Sequence, residues 1–400
     1  MQSLEKRDHL GMRFGTNYFL YFAIYGIVSP YLQIILRKLG YSPSAVGVFL
    51  GLFELAGIFG PMVSAQKADV SGRFKPFLYL SCGLLLSGLY LLVSVKAPFA
   101  TGLGICLISV GIKTPTSIMD ASLLKAVERQ RAENKPGQPG RRLDYGTVRS
   151  LGSVGFIFVT LGLQIVPGFS ASPPAVMAAW AGFITILYLL SLLLMPEMGA
   201  RRRAEKAEKR LDFSWIDSTF IIGMLVILFG RLAISAVGSF FSLYLTEELR
   251  WDAVGAMWAI SSTAEVPMMI YARKFIKKWS PMRGVAIASA ALVVRLLIYA
   301  VFPTKAGAIV GQALHSLCYG LFLPSAITFV NLKTPPEHRT AGMALFNGVG
   351  MGLPTLLGSV IGGVVIEAFG YRWMFASFTL FAVASLVLYF SHRKELLAVR

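Results

Sequence analysis

Twelve apolar stretches, each close to twenty residues long, decide most of what this chain can become. They run near residues 15–36, 45–64, 76–95, 98–122, 148–168 and 175–195, then near 217–244, 253–271, 283–302, 306–330, 341–366 and 371–390. The hydrocarbon layer of a bilayer is about 30 Å thick and takes about 20 residues of α-helix to cross. Backbone polar groups have no water to turn to there, so each segment has to satisfy its own as a helix. The expected fold class is an all-α integral membrane protein with twelve transmembrane helices. Composition agrees, because 14% of the 400 residues are charged where a soluble domain has about 25%. The 28 Phe and 39 Gly suit apolar helices packed closely in lipid. Cys82, Cys106 and Cys318 all fall inside apolar runs, so no disulfide framework or zinc motif is legible. No nucleophile–base pair, metal cluster or phosphate loop stands out, so an enzyme, a catalytic residue, a metal and a cofactor are not expected. The first apolar run is too long for a cleaved signal and reads as a retained first helix.

The net charge of +18 would suit nucleic acid if it were gathered on one face. Instead it alternates from loop to loop. Of 38 Lys and Arg, 28 lie in the N-terminus, every second loop and the C-terminal tail, and 6 lie in the opposite loops. By the positive-inside rule both termini are cytoplasmic, in a plasma membrane and most simply a bacterial inner membrane. Nucleic acid is excluded as a partner; a small solute, protons and lipid remain, and a monomer is the plain expectation. A basic linker at 196–216, carrying Arg201, Arg202, Arg203, Lys206, Lys209 and Arg210, separates an N-terminal six-helix bundle at 1–195 from a C-terminal one at 217–400. The halves resemble each other: Ala45-Val46-Gly47 opens the second segment and Ala253-Val254-Gly255 the eighth, and Lys67–Pro76 and Arg273–Pro281 are both short basic loops closing on proline. Two such repeats are the sequence signature of a secondary transporter.

An ionisable side chain near the bilayer centre costs at least about 2.5–3.5 kcal/mol, so it persists where it faces a cavity or a partner. In the first half, Lys113, Thr116, Ser117 and Asp120 recur on one face of the fourth helix. Arg149 opens the fifth, with Ser153 and Phe156 on its stripe. Asp120 and Arg149 can pair structurally, or the Arg fork can grip a solute's hydroxyls or carboxylate. In the second half, Glu265, Arg295 and His315 lie on three helices and suit a proton relay, with a hydrogen-bonded interior His as the bland alternative for His315. Arg231 is a further candidate, and Glu54 on a small-residue face a weaker one. Asn17, Tyr21 and Tyr25 trace a face of the first helix that can pack or contact a ligand.

The loop from Ala65 to Lys75 resembles the signature loop of the major facilitator superfamily: Asp69, Gly72, Arg73 and Lys75 match an acid, then Gly and Arg, then a further base. Gly permits a tight turn, and the charges act as a conformational switch at the helix ends. Tyr145 to Phe156 is similar to the fifth helix of the lactose permease and phenylpropionate permease group, and Gly40-Tyr41-Ser42, Ala264-Glu265 and Leu314-His315 extend the likeness over most of the chain. The resemblance implies two pseudo-symmetric bundles, alternating access, and a solute site in which Asp120 and Arg149 hold the polar group and Phe156 supplies a ring. It further implies that Glu265, Arg295 and His315 couple binding to a proton. Lactose permease has Glu and Trp at the positions of Asp120 and Phe156, so galactoside recognition does not carry over. Cys318 stands where the group has a second carboxylate, so either Asp120 or Glu265 takes the proton or the coupling differs.

The function expected is a proton-coupled symporter of an aromatic carboxylate or a sugar-like solute. In that reading Asp120, Arg149, Phe156, Asn17, Tyr21, Tyr25, Lys113 and Arg231 bind the solute, and Glu265, Arg295, His315 and Asp120 move the proton. A proton-antiport exporter of drugs or metabolites is the alternative, for which the Phe- and Met-rich interior is suited. A transport-inactive sensor is disfavoured by short loops.

Overall fold

A computed structural model describes residues 2–133, 143–166, 168–195 and 214–399. Most of the basic linker, 196–213 with its six Arg and Lys residues, lies outside the described residues. Among the described residues twelve long helices follow one another: α1 Gln2–Lys38, α2 Pro43–Ser71, α3 Lys75–Ser94, α4 Pro98–Glu133, α5 Tyr145–Ile165 and α6 Pro174–Leu193. The second six are α7 Ser218–Glu248, α8 Val254–Trp279, α9 Pro281–Val301, α10 Lys305–Lys333, α11 Pro336–Phe369 and α12 Tyr371–Ser391. Among the described residues, eleven of these are long and apolar enough to cross a membrane. The twelfth, α8, is 26 residues and long enough. Ser261, Ser262, Thr263 and Glu265 in its middle and four Lys and Arg at its end dilute its apolar content. The chain is an all-helical integral membrane protein.

Local chemistry sets the helix ends. Asp144 caps α5 by accepting from Thr147 N at 2.7 Å, and Asp217 caps α7 by accepting from Phe220 N at 2.7 Å. Thr304 does the same for α10 through Gly307 N at 3.1 Å. Between α2 and α3 the backbone reverses at Gly72, whose φ of 67° lies in the left-handed region that favours glycine. This is the turn expected of the signature loop; the side chain of Asp69 lies outside the described residues, Arg73 is exposed and Lys75 is half-buried. Three helices carry wide π turns: Tyr244–Glu248 ends α7, Ser316–Leu321 interrupts α10, and Phe346–Gly352 interrupts α11. Such turns slip the backbone ladder by a residue and re-aim the side chains around them.

The chain folds into two compact units, Met1–Ile35 with Ala56–Ala207, and Leu36–Leu55 with Glu208–Arg400. In the first, backbones approach closely at small residues. A Cβ added to Gly155 of α5 would lie 2.2 Å from the Phe19 carbonyl oxygen of α1, and one on Gly88 of α3 would lie 2.7 Å from the Gly104 oxygen of α4. Lipid gives no hydrophobic drive to such crossings, so van der Waals fit between small residues has to hold them. In the second unit hydroxyls join the helices: Ser239 Oγ to Ser359 Oγ at 2.8 Å, and Ser385 Oγ to both Ser289 Oγ at 3.0 Å and the Val226 carbonyl at 2.8 Å.

The second unit also includes the segment Leu36–Leu55, the end of α1 and the start of α2. It is held by polar bonds and by contact. Arg37 pairs with Glu247 at 2.8 Å, and Tyr371 donates to the same carboxylate at 2.7 Å. Ser42 Oγ and Ser44 N donate to Glu367 at 2.6 and 2.9 Å. A Cβ on Gly47 would lie 2.3 Å from the Ser359 carbonyl oxygen, so the backbones of α2 and α11 nearly touch.

Candidate functional site

In the first unit, α1, α4 and α5 converge on one guanidinium. Arg149, on the second turn of α5, lies 3.6 Å through Nε from Asp120 Oδ1 of α4, and the two side chains are 30% and 29% exposed. Its guanidinium carbon sits 4.3 Å from the ring centre of Phe22 and 5.4 Å from that of Tyr18, both on α1. The Tyr18 hydroxyl donates to Asp120 at 2.5 Å, and Tyr145 at the head of α5 sits beside both charges. Each cation–ring contact contributes about 0.5–2 kcal/mol according to its desolvation. The result is a carboxylate and a guanidinium held side by side against aromatic rings, partly open, and together of zero net charge.

Other expected residues of this unit fall around that pair. Tyr21 is buried and its hydroxyl bonds Thr116 and the Ile112 carbonyl, which ties α1 to α4. Asn17 is buried as well; its amide donates to the Arg13 carbonyl at 2.9 Å while its Oδ1 has no partner among the described residues. Tyr25 stacks on Phe22 at 6.0 Å, and so continues the wall behind Arg149. Phe156 is half-buried, and its carbonyl packs on α1 3.2 Å from where a Cβ on Gly26 would be. The Lys113 side chain lies along α2, where a Cβ on Gly57 would come within 2.2 Å of its Cδ. Tyr18 and Phe22, absent from the sequence expectations, present their ring faces to Arg149. Their i, i+4 spacing was visible, but α1 carries aromatic residues on more than one stripe, and only the cross-helix partner selects between them.

In the second unit Glu265, His315 and Arg295 form a connected row. Arg295 of α9 has no exposed surface. Its Nη1 bonds His315 Nδ1 at 2.9 Å, its Nε donates to the Tyr299 hydroxyl at 3.1 Å, and its Nη2 donates to Gln312 Oε1. His315 Nε2 faces Glu265 Oε2 at 3.5 Å. Hydrogen-bond roles follow from the guanidinium, which can only donate. Nδ1 must therefore accept, the imidazole carries its proton on Nε2, and that N–H points at Glu265. A second proton on His315 would set two donors against each other at Nδ1.

The π turn of α10 begins directly after His315, and Gly320 within it crosses α8 at the Glu265 carbonyl, 3.3 Å from an added Cβ. The imidazole stacks on Tyr319 at 5.5 Å and 11°. Arg231 of α7 lies 5.7 Å from the Tyr319 ring centre and donates to Thr355 of α11 at 3.1 Å, so it joins the row through a ring. Cys318 is fully buried next to Arg295. Gln312, Tyr299 and Thr355 were missing from the expectations. The spacings of Arg295 to Tyr299 and of Gln312 to His315 were legible, but neutral amides and hydroxyls inside a membrane helix draw notice only once a buried ion is seen to need them.

The sequence matches the MFS_1 like family over residues 12–377, and the chain belongs to that family. It is 24% identical over 367 residues to the maltose permease of Geobacillus stearothermophilus, covering 91% of this chain and 89% of that one. It is 24% identical over 370 residues to the probable 3-phenylpropionic acid transporter of Escherichia coli (strain K12), covering 90% and 92%. Among solved structures, the nucleoside transporter NupG superposes with a TM-score of 0.78 at 17% identity, over 96% of this chain and 98% of that one. The protein is a membrane transporter of small solutes and not an enzyme.

Proposed function

We propose that the protein is a proton-coupled symporter of a neutral, polyhydroxylated solute of the sugar or nucleoside kind. It works by alternating access in a bacterial inner membrane with both termini cytoplasmic, the proton being the coupling ion. The observation that carries this reading is the paired, partly exposed Asp120 and Arg149 beside Phe22 and Tyr18. A hydroxyl can donate to the carboxylate and accept from the guanidinium at once, and a sugar or base ring can lie on the aromatic wall. An anionic solute would have to displace Asp120 from Arg149. The names of the maltose and nucleoside relatives point the same way.

Glu265 is the proton carrier in this reading. Asp120 is already engaged by Tyr18 and Arg149, and His315 is held in one tautomer by Arg295. His315 then positions Glu265, and Arg295 positions His315. A second reading, an aromatic carboxylate as solute, is favoured by the Phe22 contact with Arg149 and by the 3-phenylpropionic acid relative.

The test is external pH in lightly buffered, energy-depleted cells on adding sugars, nucleosides or pH-matched aromatic acids, with cells lacking the protein as the control. Alkalinisation with sugars or nucleosides, lost in Arg149→Ala and Glu265→Gln, is expected. Alkalinisation with the acids alone selects the second reading. Silence with all three overturns symport, and acidification on adding a solute identifies a proton antiporter.

A further inference from the structure

The end of α8 carries a surface that neither solute binding nor proton coupling uses. Val266, Met269 and Ile270 are followed on the same helical stripe by Arg273, Lys274 and Lys277, at spacings of i, i+3, i+4, i+7, i+8 and i+11. All six are exposed, Ile270 at 69%. The stripe is thus apolar for one turn and cationic for the next. The first and last of the three cations are four positions apart, or about 6 Å along the axis, which matches a headgroup layer of about 5–8 Å on each side of the hydrocarbon.

Aromatic rings gather further charge at the same end. Lys274 Nζ lies 5.9 Å from the Tyr271 ring centre, while Lys278 Nζ and the Arg283 guanidinium lie 5.9 and 5.7 Å from that of Trp279. Two cations therefore converge on one indole, because the chain turns sharply at Ser280, φ 95°, and brings the first turn of α9 back beside the last of α8. There is no Asp or Glu between Glu265 and Glu337, and none of these five cations has an ion-pair partner among the described residues. The matching loop of the first half contains Asp69; this one has no acid of its own.

We propose that this end of α8 with the start of α9 is a binding site for an anionic phospholipid. Arg273, Lys274 and Lys277 hold the phosphate, Lys278 and Arg283 on Trp279 approach it from the side, and Val266, Met269 and Ile270 lie along the acyl chains. The anion supplies the negative charge that the sequence lacks at this point, and Tyr271 and Trp279 set the depth of the helix at the interface. The site stands independently of which solute is carried or whether a proton accompanies it.

The full-length protein, purified in neutral detergent and titrated with phosphatidylglycerol or phosphatidylcholine, tests this by native mass spectrometry of retained lipid. Preferential retention of phosphatidylglycerol is expected, falling with salt and falling about tenfold or more in Arg273→Gln/Lys274→Gln/Lys277→Gln/Lys278→Gln. A variant with the three lysines changed to arginine keeps the preference, and Lys67→Gln/Arg73→Gln/Lys75→Gln in the first-half loop leaves it unchanged. Equal retention of the two lipids, or a phosphatidylglycerol preference that survives the quadruple change in correctly folded protein, overturns the proposal.

Discussion

A guanidinium with no exposed surface and, among the described residues, no carboxylate in contact depends on neutral acceptors, and those of Arg295 include Tyr299, Gln312 and His315. Removing it strands those acceptors without a partner, at about 1–3 kcal/mol each where no other group replaces it. Arg295→Ala should therefore lower the thermal midpoint in detergent. It should also release the His315 tautomer, which nitrogen-resolved NMR of labelled His would show as a change in which ring nitrogen is protonated. Under the proposed function, Glu265→Gln keeps the shape and removes the carboxylate assigned to the proton; pH-driven accumulation should vanish while solute exchange at equal pH persists. A loss of both would assign Glu265 to solute binding. Arg149→Lys keeps a charge but not the planar fork or its contact with Phe22, and should weaken solute binding about tenfold or more. At this scale the sequence was most informative about charged residues, because lipid makes each one conspicuous. It was least informative about their neutral partners. Tyr18, Gln312 and Thr355 are ordinary residues until a helix from elsewhere in the chain brings an ion to them.

Between elements, the fit of small residues replaces the hydrophobic drive of a soluble core. Gly155 has the Phe19 carbonyl directly against it, so Gly155→Val has no room without parting α1 from α5. Overpacking of this kind costs about 1–3 kcal/mol, and parting the helices would also draw Phe22 away from Arg149. Reduced thermal stability together with weakened solute binding is the expected pair of effects, measured by a fluorescence melt and by equilibrium binding. Helix number, order and approximate ends were legible from the length of the apolar runs. The π turns of α7, α10 and α11 were not, since a one-residue slip in a backbone ladder has no compositional mark. The slip in α10 matters because it starts directly after His315.

For the whole molecule, the linker, the charge alternation and the paired repeats suggested two halves joined near residue 200. The chain falls into two compact units, and the second holds Leu36–Leu55, which lies far upstream of the linker. No local pattern announces this, because the bonds responsible join residues separated by as many as 325 positions, as between Ser42 and Glu367. Disrupting them by Glu247→Gln with Glu367→Gln should loosen the segment, seen as faster labelling of a cysteine placed at Gly51. The arrangement also bears on expressing the protein in pieces. A gene cut within the linker would make a second fragment deprived of its own strap, and a first fragment bearing that strap as a spare part. Each should be recovered poorly alone, while the two produced together in one cell should purify as a pair through a tag on either one.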